Sequence, residues 1–144
     1  MKALRDLGLL SFATSVSIGK QQREFLVELT RSSWDEITAR LDLIVAEAAE
    51  PFDSQTVSNG RELIAYLRAR FTPPDVFNKG YWSTFSLSWD NFEIEVFDER
   101  LETYRFFEGA TDILHFARKP GEPFPREFLA ELLMPPLQVA PPAP

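Results

Sequence analysis

The side chains able to do chemistry gather in one stretch of the chain. Asp90, Glu93, Glu95 and Asp98 stand close together, and Glu99 and Glu102 follow at once. Glu93 and Glu95 are spaced by two, so on an extended strand both carboxylates leave one face. Two such groups side by side can share a divalent cation or divide the work of general acid and base. His115 is the single histidine. It lacks a Ser, Cys or Asp partner in any catalytic spacing and reads as a partly buried strand residue. Trp34, Trp82 and Trp89 have the chemistry of a ligand box. Trp34 opens a helix and Trp89 falls on an apolar strand face, so the three read as core. The chain has no cysteine, which excludes disulfides, thiol catalysis and cysteine-based zinc sites.

Charge gives these acids a second meaning. Residues 90–112 hold two basic side chains, Arg100 and Arg105. Against them stand eight acidic ones: the six above, Glu108 and Asp112. That segment carries −6 of the chain's net −7. An acidic chain disfavours phosphate backbones and anionic membrane as targets. A rigid sheet with a local acidic block suits a basic protein partner, because complementary charge speeds encounter and sets specificity. The expected partner-binding residues are therefore Asp90, Glu93, Glu95, Asp98, Glu99 and Glu102. No catalytic residue, metal or cofactor is expected.

The elements that hold this block follow from periodicity. Residues 82–89 and 92–97 alternate between apolar and polar, and β-rich runs follow at 100–107 and 111–117. The gaps Asp90-Asn91, Asp98-Glu99 and Glu108-Gly109 use residues suited to tight hairpins. A four-stranded antiparallel meander over about 82–117 results. With Asp90-Asn91 as the turn, Trp89 faces Phe92, Leu87 faces Ile94 and Phe85 faces Val96, all on one face. Two registers compete for the next pair. One sets Glu95 across from Glu102, a repulsive contact. The other sets Glu93 across from Arg105 and Phe92 across from Phe106, and on side-chain pairing alone it is preferred.

Elsewhere, residues 12–18 alternate as a strand. Residues 23–30 fit both a strand and a helical stripe; read as a strand, they complete a hairpin (12–30) that can extend the sheet. Ser33-Trp34-Asp35-Glu36 is a capping box opening a helix over 34–49. Ser58 or Asn59 caps a second helix over 59–71, stopped by Pro73-Pro74. Residues 75–80 read as a loop. A short helix spans 125–134, with Pro125 in its first turn. The fold class is α+β: one globular domain over 1–134 and a proline-rich tail, 135–144, that is extended or mobile. Nothing after Met1-Lys2-Ala3-Leu4-Arg5-Asp6 has the apolar length of a signal peptide or membrane span, so a cytoplasmic location is expected.

Two resemblances bear on function. Pro74-Asp75 with Glu93-Ile94-Glu95 resembles the Pro-Asp…(Asp/Glu)-x-Lys pattern of metal-dependent nucleases, with Glu95 standing where that pattern has lysine. A hydrolase is accordingly the least favoured reading. The small, acidic, cysteine-free α+β chain also carries Phe92-Glu93-Ile94-Glu95-Val96-Phe97-Asp98, Tyr104-Arg105-Phe106-Phe107 and Pro120-Gly121-Glu122-Pro123. In these it resembles the immunity proteins of bacterial polymorphic toxin systems, over about residues 82–133. That resemblance implies a non-catalytic cytosolic inhibitor that binds a cognate toxin and blocks its active site. The alternative is a structural or adaptor protein of a phage or secretion assembly.

Overall fold

A computed structural model of the protein describes residues 33–140. The N-terminal hairpin expected over 12–30 lies outside the described residues. The capping box forms as expected: Glu36 donates its amide to Ser33 Oγ at 3.1 Å, and Ser33 donates its own to Glu36 Oε1 at 2.9 Å. It starts helix α1, Trp34–Glu47. Helix α2 runs Ser54–Arg68, starting earlier than the expected 59–71. Asp53 is the cap, accepting from the amide of Gln55 at 2.7 Å. Asn59 is not a cap. It is fully buried inside the helix, where its side chain bonds distant parts of the chain.

Five strands follow: β1 (Val76–Lys79), β2 (Phe85–Trp89), β3 (Phe92–Val96), β4 (Arg100–Phe107) and β5 (Ala110–Ala117). Helix α3, Arg126–Leu132, closes the set. The sheet is antiparallel in order β1-β2-β3-β4-β5, so the fold is α+β, with the meander in its expected place. The segment 75–80 is no loop. Val76–Lys79 pairs with β2, and Asp75 donates its amide to Ser88 O at 2.8 Å. Four residues are too few to show alternation, and β2 supplies the pairing that makes them a strand. The turns Asp90-Asn91 and Glu108-Gly109 form, with positive φ at Asp90 (39°) and Gly109 (79°).

Register puts Phe77, Phe85, Leu87, Trp89, Phe92, Ile94, Val96, Leu101 and Phe116 on one face of the sheet, all buried. The helices cover that face with Ile37 and Leu41 of α1, Leu63 and Leu67 of α2, and Phe128 and Leu132 of α3. Helix and sheet approach closely at Gly60, where an added Cβ would stand 2.8 Å from the Phe85 ring. Buried Arg118 ties the far end together. Its guanidinium donates to Asn59 Oδ1 at 2.6 Å and Glu122 O at 2.6 Å, pairs with Glu62 at 2.8 Å and lies over the Phe124 ring.

After α3 the chain turns through residues 133–136 and is held in place up to Ala140. Leu137 is buried, and Phe71 and Val139 form an isolated bridge flanked by the bonds Thr72 N to Gln138 O and Ala140 N to Arg70 O.

Two substitutions test this packing by urea unfolding. Thr103 is fully buried in the apolar layer, and its hydroxyl has no partner among the described residues. Thr103→Val should stabilise by about 1–2 kcal/mol, by removing a buried unpaired polar group. Gly60→Ala gains helix propensity of about 1 kcal/mol. It should still destabilise by about 1–3 kcal/mol, because the methyl meets the Phe85 ring.

Candidate functional site

The face of the sheet away from the helices carries the acids. Ser86, Ser88, Glu93, Glu95, Glu102 and Tyr104 project there by register. The β3–β4 register is the one that alternation of charge argued against: Glu95 faces Glu102, and Phe92 faces Arg105. Face parity decides it. A slip of one residue turns every β4 side chain to the other side of the sheet. The register preferred on side-chain pairs would bring Glu102 and Tyr104 into the helix-covered layer and send Leu101 outwards. Burying an unpaired carboxylate among Ile37, Leu63 and Ile94 costs far more than placing two acids opposite each other.

The remaining repulsion is met locally. Two unit charges about 5 Å apart repel by ~3 kcal/mol at an effective dielectric constant of ~20. Against it stand several hydrogen bonds to charged groups, each contributing about 1.5–3 kcal/mol. Thr84 donates its hydroxyl to Glu95 Oε2 at 2.5 Å. Tyr104 stands between the two acids, its Oη 2.5 Å from Glu102 Oε1 and 3.2 Å from Glu95 Oε1. A phenol has one proton, and the shorter contact assigns it to Glu102. Arg100 donates to Glu102 Oε2 at 2.6 Å, and His115 Nδ1 lies 3.2 Å from the same oxygen.

Burial opposes the charge on Glu102, but Tyr104, Arg100 and His115 together outweigh it and hold its pKa below the ordinary 4.5. Burial, and then the adjoining Glu102, push the Tyr104 phenol well above its usual range, so it stays a donor. Gly80 closes the cluster from the β1–β2 turn, since a Cβ there would strike Thr84 and Glu95.

The six expected partner-binding residues are thus not one surface. Glu95 and Glu102 are only 8% and 6% exposed and are occupied by protein donors. Glu93 is half-buried and accepts from Ser86 Oγ at 2.5 Å. Asp90 and Glu99 are exposed and Asp98 is half-exposed. They occupy turns at opposite ends of β3, roughly 17 Å apart for a strand of this length. A partner that reads all four available acids must span the strand.

His115 is more exposed than expected, at 62% of its side chain, and it serves the acid pair. Trp34 and Trp89 belong to the helix-covered layer, and their indoles donate to Phe71 O and Thr72 O. Trp82 does not. It is 65% exposed on the β1–β2 turn, edge-on to exposed Tyr81, because the strand starts only at Phe85. Tyr104, stacked on Phe106, was also missed as a site residue. Its signal was the spacing Arg100-x-Glu102-x-Tyr104, which puts all three on one strand face.

Among the described residues, no group of three or more His, Asp or Glu is placed to hold a metal ion, and no helix is long and apolar enough to cross a membrane. No family model matches the chain, and no curated protein and no solved structure matches it.

The acid pair predicts a signed pH response. Because folding lowers the pKa of Glu102, its contribution is present above the ordinary value of 4.5 and is lost as pH falls through the lowered folded value. Glu102→Gln should remove that part of the acid-side fall in stability, followed by thermal melting between about pH 7 and pH 2. Tyr104→Phe, which leaves the two carboxylates without the phenol between them, should cost about 1–3 kcal/mol at neutral pH.

Proposed function

We propose that the protein is a non-catalytic binding protein, an inhibitor of a basic protein partner of the kind that immunity proteins neutralise in bacterial toxin systems. The observation that carries this reading is the state of the two central carboxylates. Both are buried and engaged by protein groups: Glu95 accepts from Thr84, and Glu102 accepts from Tyr104 and Arg100 with His115 beside it. A general acid or base needs a reachable carboxyl with a proton to move, and a pair engaged in this way serves better as scaffold.

Around that scaffold, Asp90, Glu93, Asp98 and Glu99 remain for a partner, with exposed aromatic anchors in Tyr81, Trp82 and Phe106. Aromatic side chains at the centre of a contact and charge at its rim are the usual division between affinity and association rate. A cytoplasmic toxin with a basic, nucleic-acid-binding cleft has the complementary chemistry.

A growth-rescue assay tests the reading. The product of the adjacent gene is expressed alone and together with this chain. Rescue, with direct binding of the two purified proteins, is the expected outcome. Replacing Asp90 by Asn, which keeps the positive φ of the turn, and reversing Asp98 and Glu99 to lysine should slow association about tenfold or more at low salt and leave the fold intact. Glu102→Lys should instead unfold the protein. A partner whose association ignores both salt and these three substitutions would sink the acidic-rim mechanism.

A further inference from the structure

β5 is the last strand of the sheet, and its outer edge pairs with nothing among the described residues. The phase of the ladder says which groups face that edge. Antiparallel strands alternate hydrogen-bonded and non-hydrogen-bonded pairs. Arg118 donates its amide to Glu99 O at 3.0 Å. Counting by two along the register makes Leu101–Phe116, Thr103–Leu114, Arg105–Asp112 and Phe107–Ala110 the bonded pairs. The amide and carbonyl groups of Thr111, Ile113, His115 and Ala117 therefore point away from β4, and all four residues are exposed.

Sheets blunt an open edge with lysine, proline, a bulge or a cover. β5 has neither lysine nor proline, and its register with β4 runs unbroken from Ala110 to Ala117.

The side chains define what fits there. Ile113 is 49% exposed on the acid-bearing face and Leu114 is 42% exposed on the helix face. An incoming strand must therefore be apolar on both faces at its centre. Although the whole chain is strongly acidic, β5 itself holds a single acid, Asp112, beside His115. A basic partner finds little to recognise on this edge, and a second copy finds little to repel it.

The strand is also its own complement. Paired antiparallel about a two-fold axis at Leu114, Thr111 faces Ala117 of the other copy and Ile113 faces its His115, so every outward amide and carbonyl of these residues finds a partner. Leu114 then meets Leu114 across the axis, Asp112 faces Phe116, and no like charges oppose. A two-fold through Ile113 would bring Ala117 opposite Gly109 of the turn, so the axis at Leu114 uses the edge more fully.

We infer that β5 is a homodimer edge, through which two copies join their sheets into one continuous antiparallel sheet by isologous pairing. The inference does not rest on the toxin reading and is tested on the purified chain alone.

The test is sedimentation velocity of the full chain over a wide concentration range. The wild-type protein should move from monomer to dimer as concentration rises. Ile113→Pro removes an amide that faces outwards and leaves the bonds to β4 in place. Ile113→Lys puts a charge on the edge. Each should raise the dimer dissociation constant by at least about tenfold with an unchanged far-ultraviolet circular dichroism spectrum. Leu43→Lys, at an exposed position of α1 near Asn78 and Lys79 of β1 at the opposite edge of the sheet, should leave it unchanged. If the proline variant alone loses its fold, the lysine variant decides. A wild-type chain that stays monomeric throughout overturns the inference, including the case in which residues 12–30 of the same chain take this edge, and so does a dimer indifferent to the substitutions at Ile113.

Discussion

Two carboxylates placed opposite each other on adjacent strands are the constraint on which this sheet depends. The tight turn at Asp98-Glu99 and the apolar alternation of β4 can both be satisfied only if Glu95 faces Glu102. The alternative register spares that contact and breaks the layer beneath it. The molecule therefore keeps the repulsive pair and surrounds it. Thr84, Tyr104, Arg100 and His115 come from the residue before β2, from β4 and from β5, so offsetting the repulsion also fastens neighbouring strands to each other.

That arrangement changes the meaning of the acidic block. Two of its members are framework, and their charge is largely answered before any partner arrives. What remains for recognition is spread along β3 and its turns and lies among exposed aromatic side chains. On the proposed reading this face is a mixed contact surface, with aromatic anchors for affinity and a charged rim for encounter. A uniform acidic plate would behave differently, with more sensitivity to salt and less shape.

The opposite face answers a second buried charge by the same means. Arg118, at the exit of β5, is surrounded by Asn59, Glu62, Glu122 O and the Phe124 ring. It joins α2 to the sheet and to the loop that leads into α3. Asn59 returns the favour by donating to Phe97 O and Arg118 O. Each face of the sheet thus carries buried charge whose partners come from separate elements. Removing a single partner would leave the rest exposed to the cost of an unpaired buried charge.

The sequence by itself determined the fold class, the capping box at Ser33, the order of the four strands from β2 to β5 and the register of β2 on β3. These are local properties. Alternation at Phe85–Trp89 and Phe92–Val96, and a turn that only a few residue types can make, need no distant partner to be read. The sequence also placed Glu93 and Glu95 on one strand face. It did not reveal β1, whose four residues become a strand only because β2 lies beside them, or the start of α2, where Asp53, Ser58 and Asn59 are all chemically competent caps. The β3–β4 register, the exposure of Trp82 and the anchoring of Val139 against Phe71 were decided by tertiary structure alone. In each, the deciding term is burial summed over a whole face, which for a pair of residues read in isolation is invisible. For that reason Glu95 and Glu102 look like surface charges in the sequence and are buried supports in the fold.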